Sequence, residues 1–145
     1  MIHHLSIPAE NPLHVAKTLV ELFGGELTRF GPYKDSYIAW ARDEYGTAIE
    51  VYPTGTEMYP DAGHGQANFR HNASASGFVA THATVSVPRT REEIFALAER
   101  EGWRAVALSR GAFNVIEFWI ENRVMLELLT KEMEQEYLQA TRFDA

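Results

Sequence analysis

The sequence predicts an α+β protein made of two successive copies of one unit, strand–helix–strand–strand–strand. Three observations lead there. Eight short segments read as strands, and two longer ones carry apolar residues at helical spacing. These segments follow the same order before residue 53 and after residue 78, which makes an internal repeat. The 26 residues between the copies, 53–78, are rich in Gly, Pro, Ser and Asn and show no period, as a long connection does.

The elements follow in order. Residues 2–8, IHHLSIP, alternate as a strand. A helix over 12–23 starts with Asn11 as N-cap and Pro12 at the first helical position. Leu13, Ala16, Leu19, Val20 and Phe23 make its apolar face, and Gly24 and Gly25 stop it. Strands follow at 26–31, 36–41 and 47–52, with RDEYG (42–46) as the turn between the last two. The second copy opens with a strand at 80–88 and a helix at 90–102. There Thr90 and Glu93 form a capping box and Gly102 ends the helix. Strands at 103–109, 114–120 and 124–130 complete it, and residues 131–140 suit a short terminal helix. One helix per copy covers one face of each sheet, so the two uncovered faces can enclose a groove.

Bulk properties narrow the function. A chain of 145 residues suits one compact domain with a sizeable core. A net charge of −7 argues against a nucleic-acid partner and against an anionic membrane surface. Without cysteine there is no disulfide, thiolate zinc site or thiol nucleophile. The opening MIHHLSIPAENP lacks the apolar core of a secretory signal. No apolar run nears the roughly 18 residues of a membrane span. A cytoplasmic protein is expected.

Glu50, between Ile49 and Val51 in TAIEVYP, poses the chemical question, because a lone carboxylate in a buried strand is costly. The repeat gives it a twin. His4 and His82 lie in the first strand of each copy, and Glu50 and Glu127 in the last, 46 and 45 residues further on. Strand parity places Leu5, Ile7, Ala83, Val85 and Val87 under the helices, and His4, Ser6, His82, Thr84 and Ser86 on the opposite face. In the closing strands Glu50 shares a face with Ala48 and Tyr52, and Glu127 with Met125 and Leu129. Two imidazoles and two carboxylates on groove-facing positions suit one divalent cation, and a net charge of −2 would cancel it. Singly, each residue has a plainer reading: a hydrogen-bonded histidine, or a Glu50 paired with Arg29 or Arg104. The matched placement of all four favours the metal. Tyr52, Met125, Ser6, Thr84 and Ser86, sharing the ligand faces, are the expected substrate-pocket walls. Arg70 and His71 of the connection could close over a bound acid; His64 or His71 could add a ligand, but a solvated loop histidine is the favoured reading of either. Trp40, Trp103 and Trp119 suit the core.

These segments, HHLSIP, TAIEVYP, THATVSV and VMLELLT, together with LVELFGG, resemble the vicinal oxygen chelate superfamily, which includes glyoxalase I, the bleomycin-resistance proteins and extradiol dioxygenases. The resemblance covers about residues 2–130. It implies paired βαβββ modules whose curved mixed sheets form a groove around a metal site. The modules would be residues 1–52 and 79–130, with 53–78 a linker or lid and 131–145 a C-terminal tail, one domain overall. It implies one divalent ion, zinc or nickel with iron(II) or manganese as alternatives, held by His4, Glu50, His82 and Glu127. Carboxylates on both closing strands look most like glyoxalase I, a lyase or isomerase in which a carboxylate moves a proton beside a carbonyl. Glu127 is the first choice for that base and Glu50 the second. An iron(II) ring-cleaving dioxygenase and a non-catalytic small-molecule binding or resistance protein are the alternatives. A small-molecule substrate and a homodimer are the expected partners.

Overall fold

Strand pairing turns the repeated pattern into two mixed sheets of identical topology. The structure, a computed structural model, describes residues 2–31 and 33–142; the expected tail's residues 143–145 and positions 1 and 32 lie outside the described residues. The chain divides into two compact units, Met1–Val20 with Gly25–Phe78, and Glu21–Gly24 with Val79–Ala145.

In the first unit β1 (His4–Ala9) lies parallel to β4 (Ala48–Pro53), which continues antiparallel through β3 (Tyr37–Trp40) to β2 (Glu26–Arg29). The helix α1 (Pro12–Phe23) begins where Asn11 Oδ1 accepts the His14 amide, as an N-cap should. Val15, Ala16 and Leu19 of α1 are buried, and so are Ile7, Ala39, Ile49 and Val51 of the sheet. Leu5 pairs with Ile49 and Ile7 with Val51, whereas Ser6 pairs with Glu50, so the expected alternation holds in this sheet.

In the second unit β7 (Ala83–Ser86) lies parallel to β10 (Val124–Leu129), followed by β9 (Asn114–Ile120) and β8 (Ala105–Ser109). The helix α2 (Arg91–Glu101) has the capping box of Thr90 and Glu93, and Gly102 closes it in the left-handed region at φ 67°. Ile94, Leu97 and Ala98 are its buried face. The terminal helix α3 (Lys131–Ala140) forms as expected, capped by Thr130. Phe113 meets Tyr137 edge-on at 5.0 Å, and Asn114 donates to Glu136, tying α3 to the β8–β9 end. Among the described residues no helix is long and apolar enough to cross a membrane.

Two sequence readings need correction. The segment 53–78 is not featureless, for β5 (Thr56–Tyr59) and β6 (Asn68–His71) form an antiparallel hairpin within it. Its cohesion is mostly polar, so no apolar period announces it. Glu57 accepts from Arg70 Nε and Asn72 Nδ2, both at 2.7 Å, and Arg70 stacks on the Tyr59 ring. Arg70 is thus spent within the hairpin. Secondly, the opening strand of the second copy is shorter than 80–88. Its ladder to β10 starts at Ala83↔Leu126, which leaves His82 just ahead of the strand.

Gly25 marks a close approach rather than a turn, since a Cβ there would overlap the Trp40 carbonyl oxygen of the adjoining backbone. Gly24, at φ 69°, has open space around it. Gly25→Ala is expected to cost about 2 kcal/mol or more, because rigid backbone must shift. Gly24→Ala should cost only about 1 kcal/mol of left-handed strain. Urea-unfolding midpoints check the order; equal losses would refute the close-contact account.

Candidate functional site

The site is best described as two rows of side chains, one across each sheet. In the first unit the register aligns Ser6, Glu50, Ile38 and Thr28 on β1, β4, β3 and β2. Glu50 is only 9% exposed, so its charge needs donors. Ser6 Oγ donates to Oε2 at 2.8 Å, and the Tyr52 hydroxyl donates to the same oxygen at 3.4 Å. The other oxygen, Oε1, faces His4 Nε2 at 3.8 Å. Neither Arg29 nor Arg104 pairs with Glu50; Arg104 lies in the second unit and bonds Glu117.

Tyr52 belongs to a ring cluster at the end of this row. Its ring lies 5.5 Å from Phe30, 6.0 Å from Tyr33 and 5.9 Å from Phe69 of the hairpin. Burial pushes its phenol up from 10.0 to about 12, and the neighbouring Glu50 charge adds to the shift. Tyr52 therefore stays protonated, a hydrogen-bond donor, throughout the physiological range.

In the second unit the equivalent row is Thr84, Glu127, Glu117 and Val106, on β7, β10, β9 and β8. Thr84 Oγ1 donates to Glu127 Oε2 at 2.7 Å, the counterpart of Ser6 on Glu50. From there the two rows diverge. Arg110 donates to Glu127 Oε1 through Nε at 2.9 Å, and its Nη2 lies 2.8 Å from the same oxygen as an ion pair. The same Nη2 donates to Glu117 Oε1 at 2.8 Å. Glu117 Oε2 also accepts from Arg104 at 3.1 Å and from Trp119 Nε1 at 3.0 Å. These bonds, with Arg110's the strongest, hold the Glu117 carboxyl below its usual range. Nothing in the sequence reading pointed to Arg110 or Glu117. Glu117, between Ile116 and Phe118, carries the same signal in the sequence as Glu50, a carboxylate flanked by apolar strand residues.

His82 is exposed, and its Nδ1 lies 3.0 Å from the Ala80 carbonyl. A carbonyl only accepts, so Nδ1 is the donor, and the neutral ring with that tautomer has its lone pair on Nε2, as a histidine ligand needs. Among the expected pocket walls, Ser6 and Thr84 are engaged with the carboxylates, Met125 is half-buried and Ser86 is exposed. Trp40 and Trp119 are half-buried and donate to Thr28 and Glu117, whereas Trp103 meets Phe118 edge-on at 5.7 Å.

The residues of the first unit fit a cation in part. Two ligands about 2.0–2.2 Å from one ion are separated by at most about 4 Å, and the His4–Glu50 span of 3.8 Å falls within that. The second unit fits less well, because Glu127 is already met by a guanidinium. Among the described residues no group of three or more His, Cys, Asp or Glu is gathered tightly enough to hold a metal ion.

No protein-family model matches the sequence, and no curated protein does. Solved structures do match. The fosfomycin resistance protein FosX from Listeria monocytogenes, complexed with Mn(II) and sulfate, aligns at TM-score 0.59 and 12% identity, over 98% of this chain and 97% of its own. A glyoxylase/bleomycin resistance protein/dioxygenase domain from a Frankia species aligns at TM-score 0.54 and 11% identity, over 90% and 96%. A structure from Bacillus cereus described as a possible glyoxalase aligns at TM-score 0.51 and 13% identity, over 89% and 97%. At such identities the likeness is one of fold. It is the fold of the vicinal oxygen chelate superfamily, as the sequence resemblance implied.

The raised Tyr52 phenol has a measurable consequence. The folded state favours its protonated form, so the associated stability is fully present below about pH 10 and lost as pH rises through about 12. An ultraviolet titration should show one late phenol among the six tyrosines, and Tyr52→Phe should abolish that step. A late step that survives in Tyr52→Phe would refute the assignment.

Proposed function

We propose that the protein is a divalent-metal-dependent enzyme of glyoxalase-like type, binding two neighbouring oxygens of a small substrate and promoting proton transfer as a lyase or isomerase. His4 and Glu50 are the first two ligands in this reading. His82 and Glu127 are the others, drawn from the second unit of the same chain or of a second copy in a homodimer. The observation that carries the reading is the His4–Glu50 pair: a buried carboxylate held by hydroxyls on one oxygen, with the other oxygen turned to an imidazole. The tautomer of His82 supports it. Manganese(II), the ion in the FosX structure, is the first to test, beside zinc, nickel and iron(II).

When bound, the ion would supply Lewis-acid polarisation of two adjacent oxygens. The chain's own residues do the rest. Ser6 fixes the Glu50 carboxylate at Oε2 and leaves Oε1 without a hydrogen-bond donor. A base must offer such a lone pair, and Glu127 does not: Arg110 covers its Oε1 and Thr84 its Oε2. In this reading Glu50 is favoured over Glu127 as the base, acting when its Oε1 is not engaged with the ion. Tyr52, kept protonated, is a donor placed beside it.

A second reading, a non-catalytic small-molecule binding or resistance protein, draws on the commitment of Glu127 to Arg110. The dioxygenase reading is less favoured, because a site of two histidines and the closing-strand Glu127 leaves Glu50 a surplus carboxylate, and Glu50 is the one turned to an imidazole.

Elemental analysis of untagged protein separates these readings. About one equivalent of a transition metal is expected, with His4→Ala and Glu50→Gln each weakening binding by at least about tenfold. Less than about 0.1 equivalent after adding excess manganese, zinc, nickel or iron would sink the enzyme reading and leave the binding protein. If metal binds and a panel of 2-oxoaldehyde–thiol adducts is left unchanged, the glyoxalase-like chemistry is refuted.

A further inference from the structure

We infer that Ser36, under the rings of Phe30 and Tyr52, is the polar floor of a subsite for a hydroxyl-bearing aromatic ring. The inference deepens the reading above, on which it rests, by naming the class of substrate that would lie beside Glu50.

Register places Ser36 between two rings. The β2–β3 ladder continues past Arg29↔Tyr37 through the Phe30 amide on the Ser36 carbonyl, at 2.9 Å. The β3–β4 ladder begins at Tyr37↔Val51, and the next pair outward is Ser36 with Tyr52. Phe30, Ser36 and Tyr52 thus form one row on three neighbouring strands, beside the row of Ile38 and Glu50 and on the same face. The strands on either side of Ser36 carry large rings, and Ser36 itself is small. The rings lean together across it until their centroids are 5.5 Å apart. Under that roof Ser36 is 2% exposed.

Alanine would fill the same gap. Serine adds an oxygen, and Ser36 Oγ is buried with no hydrogen-bond partner among the described residues. Leaving a buried hydroxyl unpaired is destabilising. A water there would need several polar partners. The row neighbours of Ser36 offer ring faces, and the Tyr52 hydroxyl already donates to Glu50. A ligand oxygen supplies what is missing, and the aromatic roof selects a ring to carry it.

The cluster can open without disturbing the sheet. Tyr52 also meets Tyr33 at 6.0 Å and Phe69 at 5.9 Å, the latter nearly parallel at 24°. Phe69 comes from β6 of the separate hairpin, which Glu57, Arg70 and Asn72 fasten within itself. Phe69 can therefore withdraw with its hairpin intact, and a ligand ring takes its stacked place on Tyr52. The hydroxyl of that ring pairs with Ser36. The rest of the molecule extends along β4 toward Glu50, about 7 Å away for two residues of strand.

Two probes of similar shape test this, p-cresol and toluene, titrated without metal into the full untagged chain and followed by its amide resonances. p-Cresol should bind with a Kd on the order of 1 mM and about tenfold more tightly than toluene, the worth of one hydrogen bond to a hydroxyl otherwise unpaired. In Ser36→Ala the preference should shrink to within about twofold, with toluene binding unchanged. 4-Methylcyclohexanol, which keeps the hydroxyl and lacks the aromatic face, should bind at least about fivefold more weakly than p-cresol. Phe69→Ala, which removes the ring to be displaced, should tighten p-cresol binding several-fold. A preference that survives in Ser36→Ala, equal binding of 4-methylcyclohexanol, weaker p-cresol binding to Phe69→Ala, or no binding of either aromatic probe overturns the proposal. So does a lowered urea midpoint in Ser36→Ala, which would mean that the hydroxyl already has a partner; an unpaired one leaves the midpoint unchanged or raised. The metal reading fails separately. Ser36-dependent probe binding by a protein that takes up no metal leaves the subsite as that of a binding protein. Metal uptake without probe binding keeps the enzyme reading and removes the subsite.

Discussion

A carboxylate in the middle of a buried strand must be met by donors, and much of the arrangement described above answers that demand. Glu50 and Glu127 are each 9% exposed within closing strands that are otherwise apolar. Uncompensated, each would cost several kcal/mol. The parallel neighbour strand supplies the first donor in both units, Ser6 in one and Thr84 in the other, directly opposite in register. Register and compensation are therefore one constraint. A slip of a single residue would turn the carboxylate toward the helix-covered face and the hydroxyl away from it.

Beyond that first donor the two units meet the demand with different chemistry. The first uses uncharged groups: a tyrosine hydroxyl, itself held in a cluster of rings that includes Phe69 of the hairpin. Both hydroxyls meet one oxygen of that carboxylate, and the other faces His4. The second uses arginine, and arginine brought so near the sheet needs a further anion, which Glu117 provides. The outcome is a nearly self-neutralised network of Arg104, Glu117, Arg110 and Glu127. Equivalent backbone positions thus carry an acid available to a cation in one unit and an acid already satisfied in the other.

Most of the fold was legible in the sequence, because periodicity and capping are local. The capping box at Thr90 and Glu93, the stop at Gly102 and the alternation about Glu50 need only their neighbours in the chain. The β5–β6 hairpin was not legible, since its ladder is fastened by Glu57 with Arg70 and Asn72 rather than by an apolar stripe. His82 fell just outside its strand because the ladder with β10 starts one residue later, a property of the partner strand. In the candidate site the four positions could be read, but their surroundings could not. That Arg110 reaches Glu127 depends on how far the β8–β9 ladder extends, and periodicity does not record the length of a pairing.

Internal symmetry is therefore a sound guide to position and a poor guide to role. His4, Glu50, His82 and Glu127 are equivalent by strand order and parity, which both units share. What a carboxylate does depends on the next residue across the sheet. With Ile38 opposite, Glu50 has no rival anion, and a cation nearby would find it available. With Glu117 opposite, Glu127 is one of two acids that share the same guanidinium. A single position on the neighbouring strand, isoleucine in one copy and glutamate in the other, separates a carboxylate met by hydroxyls from one met by a guanidinium. A functional difference between duplicated modules of this kind is therefore better sought in the strand beside the ligand than in the ligand itself.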